Sequence, residues 1–217
     1  MQLTKFGHSC VRFDDADRAL VVDPGSFSDV DSALDGVSGV LITHEHADHL
    51  DVDKLRAALR GDSRLRVWAP SSVIATFAEF GEQVVPVAPG DSFDAVGYPV
   101  QTFGGQHAVI HPTIPVIANN GYVIDGTYHP GDSLIVPPVT VTTLLAPITA
   151  PWSKVSEVID FVVAVRASRT HGVHDAMLAA AGAAIVEGHV SRIGAQFGVE
   201  YTRLEQGKPV TLERGLR

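Results

Sequence analysis

Three histidines and an aspartate, all side chains that bind metal ions, lie within six consecutive residues. The segment reads His44-Glu45-His46-Ala47-Asp48-His49. Neutral imidazoles suit zinc, iron or manganese, and a carboxylate adds a hard oxygen ligand. The spacing differs from the helical H-E-x-x-H zinc motif, because the residue four positions after His44 is Asp48. The segment therefore predicts a metal site of another design.

The histidine-rich segment follows a predicted strand and precedes a predicted helix. Residues 40–43 are apolar and partly β-branched, as in a short buried strand. Asp51 can cap a helix whose apolar residues Val52, Leu55 and Leu59 recur at helical spacing. Because α/β folds gather their chemistry at the carboxyl ends of strands, this position favours a functional site over a surface turn.

Further candidate ligands occur in three later segments, each at a predicted strand end or in a tight turn. They are His107 with its competitor His111, Asp132 beside His129 in a Gly-containing turn, and the pair His171 and His174 before the last long helix. A lone histidine near a strand end is more often structural. A carboxylate in a turn can bridge two cations, because each oxygen can bind one. Since a binuclear site needs about seven protein ligands and an open position for water, the four segments together predict one.

Length and composition limit the possible classes of protein. A chain of 217 residues suits one domain over residues 1–217, with 45% hydrophobic and 19% charged residues as in an ordinary globular protein. The net charge of −9 argues against a nucleic-acid partner. It leaves a small anionic substrate open, because bound cations invert the local field. Cys10 is the only cysteine, which excludes disulfides and thiolate-rich metal sites within one chain.

The sequence shows no signal for export or for membrane insertion. Residues 1–6 have no charged region followed by an apolar one, and no apolar run approaches the length of a membrane span. We therefore expect a cytoplasmic protein with a small-molecule substrate and no membrane or nucleic-acid partner. A homo-oligomer stays open, because the alanine-rich segment 176–187 can form either core packing, which we prefer, or a dimer face.

The predicted elements fall into two groups of strands, each followed by helices. The first group comprises a hairpin at 2–13 and 18–23, a short helix at 28–36, the motif strand, and strands near 65–69 and 83–87 around a helix at 72–80. The second comprises short antiparallel strands from 91 to about 124, a helix at 153–166, a short strand, a helix at 175–197, and final strands at 199–201 and 210–212. This order, with no repeat or linker, predicts two sheets face to face with helices outside.

The motifs resemble those of the metallo-β-lactamase superfamily of metal-dependent hydrolases. The resemblance lies in His44-x-His46-x-Asp48-His49, followed by a lone histidine, a Gly-Asp turn and a late histidine. Phe6-Gly7-His8-Ser9-Cys10, with Val22-Asp23-Pro24-Gly25 soon after, resembles the branch of ascorbate-6-phosphate lactonase-like proteins. The similarity spans residue 1 to about 190. It implies an α/β (α+β) fold, a four-layer αβ/βα sandwich of two mixed β-sheets with the site at one edge between them.

The resemblance also implies a set of ligands for two divalent metal ions, zinc first, with manganese or iron as alternatives. One ion would be held by His44, His46 and His107, the other by Asp48, His49 and a late histidine, with Asp132 bridging them. Both His171 and His174 can serve as that late ligand. We prefer His174, because Val173-His174-Asp175 resembles the pattern of the branch.

Four more residues are predicted beside this set. His8 lies in a loop that borders the pocket in the branch, and Asp23 is expected to orient the ligand loop through hydrogen bonds. His111 and His129 are candidates for contact with the ligands or the substrate. The candidate catalytic residues are Asp48, Asp132 and His129.

The implied reaction is hydrolysis by a water whose pKa falls from about 15.7 towards 7 between cations roughly 3.5–4 Å apart. Asp48 or His129 would carry a proton to the leaving oxygen. We favour a hydrolase that acts on a small lactone, phosphoester or thioester. The alternatives are a nuclease or phosphodiesterase of the tRNA-processing type, disfavoured by the acidic charge, and a non-catalytic metal-binding protein, since a fold alone does not establish function.

Overall fold

The computed structural model describes residues 1–212 and, within them, contains two seven-stranded sheets. The first sheet has, in spatial order, β14 (Val210–Thr211), β1 (Gln2–Gly7), β2 (Cys10–Asp15), β3 (Arg18–Val22), β4 (Gly39–Leu41), β5 (Arg66–Ala69) and β6 (Val84–Pro86). The second has β13 (Glu200–Tyr201), β12 (Arg169–Val173), β11 (Thr143–Pro147), β10 (Thr127–His129), β9 (Asn120–Ile124), β8 (Tyr98–Gly104) and β7 (Ser92–Ala95). Each sheet is mixed. Strands β3 to β6 and β10 to β13 pair in parallel, and the remaining neighbours pair antiparallel.

Helices flank both sheets. The helices are α1 (Val30–Leu34), α2 (Val52–Gly61), α3 (Ser71–Thr76), α4 (Val155–Val165) and α5 (Ala180–Gly194), with 3₁₀ turns at Ala78–Gln83 and Ala195–Phe197. Buried side chains of α1, α2 and α3 pack on the first sheet, and those of α4 and α5 pack on the second. A third apolar cluster lies between the two sheets. The predicted fold class, two mixed sheets face to face with helices outside, is confirmed.

Strand β3 illustrates how the sequence builds these layers. Leu20 and Val22 pack in the cluster between the sheets, whereas Val21 packs on the helical side, and all three are fully buried. Successive residues of a strand point to opposite faces. A strand covered on both faces is therefore a continuous apolar run, as residues 19–22 are.

The predicted elements around the histidine-rich segment are confirmed. The motif strand is β4, and Asp51 caps α2 by accepting a hydrogen bond from the backbone N–H of Lys54. Leu55 and Leu59 of α2 are buried against the first sheet. The histidines therefore lie in a short loop fixed at both ends.

The predicted hairpin arm at residues 2–13 is wrong in one respect. The structure divides it into β1 and β2, which pair antiparallel, with Gly7 opposite Cys10 across a two-residue turn. His8, the first of the two turn residues, has a φ of 43°, a positive value of the kind that tight hairpin turns require, and Gly7 before it has a φ of 114°. The turn brings His8 to the carboxyl end of β1.

Two predicted helices begin or end elsewhere, and two strands were not predicted. The helix expected at 175–197 begins at Ala180, because residues 175–179 form a loop after His174, whose φ is 58°. The helix expected at 72–80 ends at Thr76, and Gly81, with a φ of 54°, interrupts the 3₁₀ turn that follows. The two strands that were not predicted, β10 and β11, complete the second sheet.

Across residues 1–212, the chain contains no helix of the length and apolarity needed to cross a membrane.

Gly25 lies where the loop after β3 meets the histidine-rich segment, and a Cβ atom there would clash with the backbone carbonyl of Asp48. We expect Gly25→Ala to lower the free energy of unfolding by about 2 kcal/mol or more, because the backbone must shift. Gly188→Ala is the matched control, since a Cβ at that position of α5 meets no atom within 4 Å. Helix propensity predicts a gain of about 1 kcal/mol for the control. Urea denaturation measures both, and equal stability of the two variants would contradict the close packing at Gly25.

Candidate metal centre

The four segments that the sequence singled out converge at one edge of the sandwich, between the two sheets. The residues there form two groups, each of which offers four ligand atoms within 4.8 Å of one another. The first group is His44, His46, His107 and Asp132, and the second is His8, Asp48, His49 and His174. In both groups three members are buried and one is partly exposed. The arrangement therefore provides two adjacent sets of nitrogen and oxygen donors.

The carboxylate of Asp132 touches both groups. Its Oδ1 lies 3.0 Å from Nε2 of His49, and its Oδ2 lies 3.2 Å from Nε2 of His174. Oδ2 also lies 3.3 Å from Nε2 of His107, in the first group. Asp132 is thus the residue that joins the two sets of donors.

Hydrogen bonds at Nδ1 orient four of the histidines. The acceptors are Oγ1 of Thr43 for His44 at 2.9 Å, Oδ2 of Asp23 for His49 at 2.7 Å, the carbonyl of Ala108 for His107 at 2.6 Å, and the carbonyl of Thr149 for His174 at 2.6 Å. A histidine that donates from Nδ1 keeps Nε2 for another partner, which is how metal-binding histidines are commonly held. Nε2 of His49, His107 and His174 therefore remains to bind a cation, and Nε2 of His44 lies 3.1 Å from Nδ1 of His46 in the same donor group.

Several of these donor atoms are buried and, among residues 1–212, make no hydrogen bond of good geometry, although the nitrogens lie 3.0–3.3 Å from the carboxylate oxygens of Asp132. The atoms are Nε2 of His49, Nε2 of His107, Nε2 of His174 and Oδ1 of Asp132. Contacts of poor geometry compensate only part of the cost of burying these polar atoms. A divalent cation satisfies imidazole nitrogens and carboxylate oxygens at once, so the donor set fits a metal ion.

The charges of the metal-free centre are strongly coupled. Burial lowers the pKa of His44 and of His46, which favours the neutral imidazole. For His49, burial lowers the pKa, but Asp132 and Asp23 raise it to about 10 overall. For His174, burial also lowers the pKa, but Asp132 and Asp48 raise it to about 9 overall. Two imidazolium groups therefore face carboxylates in the metal-free chain at neutral pH.

The two carboxylates of the centre remain ionised. Burial raises the pKa of Asp132, but His49, His107 and His174 outweigh it and hold that pKa well below its usual range. The pKa of Asp48 is likewise lowered, because hydrogen bonds from His174 and His8 outweigh the effect of burial. Both side chains thus present negative charge to the site.

Asp23 organises the loop that carries the ligands. Its Oδ1 accepts the backbone N–H of Thr43 at 2.8 Å, and its Oδ2 accepts the hydroxyl of Thr43 at 2.7 Å and Nδ1 of His49 at 2.7 Å. Because the hydroxyl of Thr43 donates to Asp23, it accepts from His44. One fully buried carboxylate therefore fixes the orientation of a ligand candidate from each group.

His8 carries its proton on the other ring nitrogen from the four histidines that donate from Nδ1. Its Nδ1 accepts the backbone N–H of Ala176 at 3.2 Å, so Nε2 carries the proton and donates to Oδ2 of Asp48 at 3.1 Å. Its ring lies 4.0 Å from the ring of His174, centroid to centroid. His8 therefore belongs to the second group by position, but it holds Asp48 in place and leaves no lone pair for a cation.

Three further histidines that the sequence singled out lie outside both groups. His171 donates from Nδ1 to the carbonyl of Thr202, and exposed His111 bonds Thr113. His129 is buried, with Nε2 donating to the carbonyl of Ser9 and Nδ1 accepting the N–H of Gly131. The structure contradicts the expectation that His129 carries a proton for the reaction, because backbone groups occupy both of its ring nitrogens.

Two residues that the sequence did not single out support Asp132. The indole N–H of Trp152 donates to Oδ2 of Asp132 at 2.9 Å, and its ring centroid lies 6.1 Å from that of His107 and 6.4 Å from that of His174. Oδ1 of Asn119 accepts the backbone N–H of Asp132 at 2.9 Å.

Comparison with known proteins agrees with this geometry. The family profile of the β-lactamase superfamily domain matches residues 2–174. The chain belongs to the β-lactamase superfamily. Protein Rv0786c of Mycobacterium tuberculosis is 40% identical over 185 residues, which is 82% of this chain and 86% of that protein. A UPF0173 metal-dependent hydrolase of Xanthobacter autotrophicus is 33% identical over 125 residues, 53% of this chain and 51% of that protein.

Solved structures of the superfamily share the fold. Igni18, a metallo hydrolase from Ignicoccus hospitalis, superposes with a TM-score of 0.75 at 18% identity and covers 98% of both chains. YhfI of Bacillus subtilis, a metallo-β-lactamase fold protein, has a TM-score of 0.71 at 17% identity and covers 96% of this chain and 98% of its own. At such identities the likeness shows the fold. With the family match, it confirms the predicted class of enzyme, a metal-dependent hydrolase of the metallo-β-lactamase fold.

The two late histidines differ in position, and metal content distinguishes them. We expect His174→Ala to lose about one equivalent of metal per chain, because its Nε2 lies in the second group of donors. His171→Ala is the matched control three residues away and should keep the full metal content. Elemental analysis after metal loading measures both. The assignment fails if the His171 variant loses metal and the His174 variant does not.

Metal uptake should release protons. The raised pKa values of His49 and His174 keep both imidazoles protonated at pH 7.5 in the metal-free chain, and a cation can bind only their neutral forms. The ion pairs of these two imidazolium groups with the carboxylates contribute to the free energy of unfolding of the metal-free chain. This contribution is fully present below a pH of about 6.5 and is lost as the pH rises through about 9 to 10. Titration calorimetry with zinc in buffers of different ionisation enthalpy should therefore show release of about two protons per chain. A binding heat that does not depend on the buffer would contradict this charge state.

Proposed function

We propose that this member of the superfamily hydrolyses a small ester-type substrate, a lactone, phosphoester or thioester, at a binuclear site. Zinc is the proposed metal, with manganese or iron as alternatives. We also propose that the chain belongs to the lactonase-like branch and that it acts in the cytoplasm. The observation that carries the proposed hydrolysis is the pair of adjacent donor groups joined by Asp132, with four buried donor atoms that make no hydrogen bond of good geometry.

The proposed ligands divide as the two donor groups do. His44, His46 and His107 would hold one cation, and Asp48, His49 and His174 the other, with Asp132 contacting both. Two divalent cations supply a water of lowered pKa and polarise the electrophilic oxygen of a substrate. Such a site needs no serine or cysteine nucleophile, and Cys10 is buried on β2 with a raised pKa caused by burial.

The residues around the ligands would set the geometry of the reaction. Asp48 is partly exposed and ionised, so it can accept a proton at its free oxygen while Nε2 of His8 holds the other one. Trp152 holds Oδ2 of Asp132, and its ring covers His107 and His174 on one side. This support would keep the Asp132 carboxylate in one orientation and limit the access of water from that side.

Hydrolysis by the metal-loaded protein tests the proposal. The screen uses 4-nitrophenyl butyrate, γ-butyrolactone, phenyl thioacetate and bis(4-nitrophenyl) phosphate, with metal content measured on the same sample. We expect turnover of at least one probe. Asp132→Ala should lower kcat by about a thousandfold, or roughly 4 kcal/mol of transition-state stabilisation, because the carboxylate that contacts both donor groups is lost.

Asp160→Ala on the exposed face of α4 is the matched control and should keep wild-type activity. Thermal unfolding of all samples separates loss of chemistry from loss of fold. Two equivalents of metal with no turnover of any probe would contradict the proposed ester hydrolysis and favour a metal-binding role. Equal activity of the two aspartate variants would contradict the role of Asp132.

A further inference from the structure

A cavity of about 480 Å³ opens directly beside the candidate metal centre. His8 lines it, and the same side chain donates to Asp48 at 3.1 Å, so a group bound in the cavity lies next to the second donor group. The volume falls in the range of roughly 300–1,000 Å³ found for small-molecule pockets. A larger groove of about 560 Å³ runs along β7, β8 and β9, but its lining contains no residue of either donor group, whereas the cavity beside His8 contains one.

Phe27 lines this cavity on a fixed stretch of backbone. Its ring packs edge-on against His8 with centroids 5.4 Å apart, yet half of the side chain is exposed. The flanking residues are anchored, because Ser26 N–H donates to the carbonyl of Ala47 and the Ser28 hydroxyl donates to the carbonyl of Gly7. A rigidly held, half-exposed aromatic ring at the wall of a cavity is a surface ready to contact an apolar group. Leu178 and Leu204 extend the apolar part of the lining.

The cations in the cavity lining are already neutralised. Lys5 is buried, and its Nζ donates to Oδ2 of Asp175 at 2.6 Å and to the carbonyl of Gly172. Arg203 binds both carboxylate oxygens of Glu187, at 2.8 and 2.9 Å. The lining also contains Glu205, whose carboxylate is paired with Lys208 at 2.5 Å. An anionic group would therefore meet cations that already have carboxylate or carbonyl partners, which disfavours its binding.

We propose that this cavity binds the uncharged, partly apolar portion of the substrate, with Phe27 as the main contact surface. The inference rests on the proposed function, because it assigns the substrate class of the same site. It favours neutral esters, lactones or thioesters over phosphoesters. The distinguishing feature is the combination of an anchored aromatic ring with a charge-balanced lining.

Binding of two matched probes tests the proposal without any turnover. N-butylacetamide is uncharged and stable to ester hydrolysis, and 4-acetamidobutanoate has the same chain with a terminal carboxylate. Ligand-observed NMR titration of the metal-loaded protein should show that N-butylacetamide binds at least about tenfold more tightly than the carboxylate. Phe27→Ala should weaken the binding of N-butylacetamide about five- to tenfold, through the loss of apolar contact.

Ile185→Ala is the matched control, because Ile185 is 63% exposed on α5 and does not line the cavity. Leu178→Ala is a second variant, expected to act in the same direction as Phe27→Ala. Equal binding by the Phe27 and Ile185 variants would overturn the proposal, since the probe would then bind elsewhere, as in the larger groove. Tighter binding of the carboxylate probe would overturn it as well.

The charge balance has a separate test. Asp175→Asn removes the partner of Lys5 and should raise the affinity for 4-acetamidobutanoate several-fold, with little change for N-butylacetamide. An unchanged affinity for the carboxylate probe would contradict the neutralisation of Lys5 by Asp175.

Turnover by the wild type without any effect of Phe27→Ala would overturn only this substrate assignment. Probe binding that depends on Phe27, without turnover of any ester, would count against the proposed hydrolysis and leave the cavity assignment standing.

Discussion

The carboxylate of Asp132 lies between two groups of imidazoles, and the rest of the site depends on this contact. Its two oxygens lie 3.0 to 3.3 Å from Nε2 atoms of His49, His107 and His174. The histidines can face one carboxylate because oxygen acceptors hold their Nδ1 atoms. Without a cation these buried donor atoms have only one another as partners, and they make no hydrogen bond of good geometry. A close cluster of this kind indicates a site built for a ligand.

The fold serves this contact by bringing the ends of distant strands to one edge. Asp132 follows β10, His174 follows β12, and the histidine-rich loop follows β4 in the opposite sheet. Asp23, after β3, is hydrogen-bonded to the motif loop, and Gly25 permits the close approach of the two chain segments. The interior clusters of both sheets thus act as a rigid frame for the site.

Local patterns predicted the motif strand, the cap at Asp51 and the fold class, because these depend on neighbouring residues and on the order of elements. The ligand candidates were found by residue type and by resemblance to the superfamily. The tautomer of His8 could not be predicted, since it depends on a backbone N–H from Ala176, 168 residues away. Trp152 was missed for a similar reason, because one tryptophan forms no pattern. The wrong role for His129 arose because its partners, Ser9 and Gly131, depend on how β10 packs.

Anomalous X-ray diffraction from crystals of the metal-loaded protein tests the central claim most directly. The account predicts two anomalous peaks roughly 3.5–4 Å apart, with one carboxylate, that of Asp132, in contact with both. Nε2 of His44 and of His107 should bind one ion, and Nε2 of His49 and of His174 the other, with Nε2 of His8 bonded only to Asp48. A single peak, peaks away from Asp132, or an ion bound to Nε2 of His8 would contradict the account.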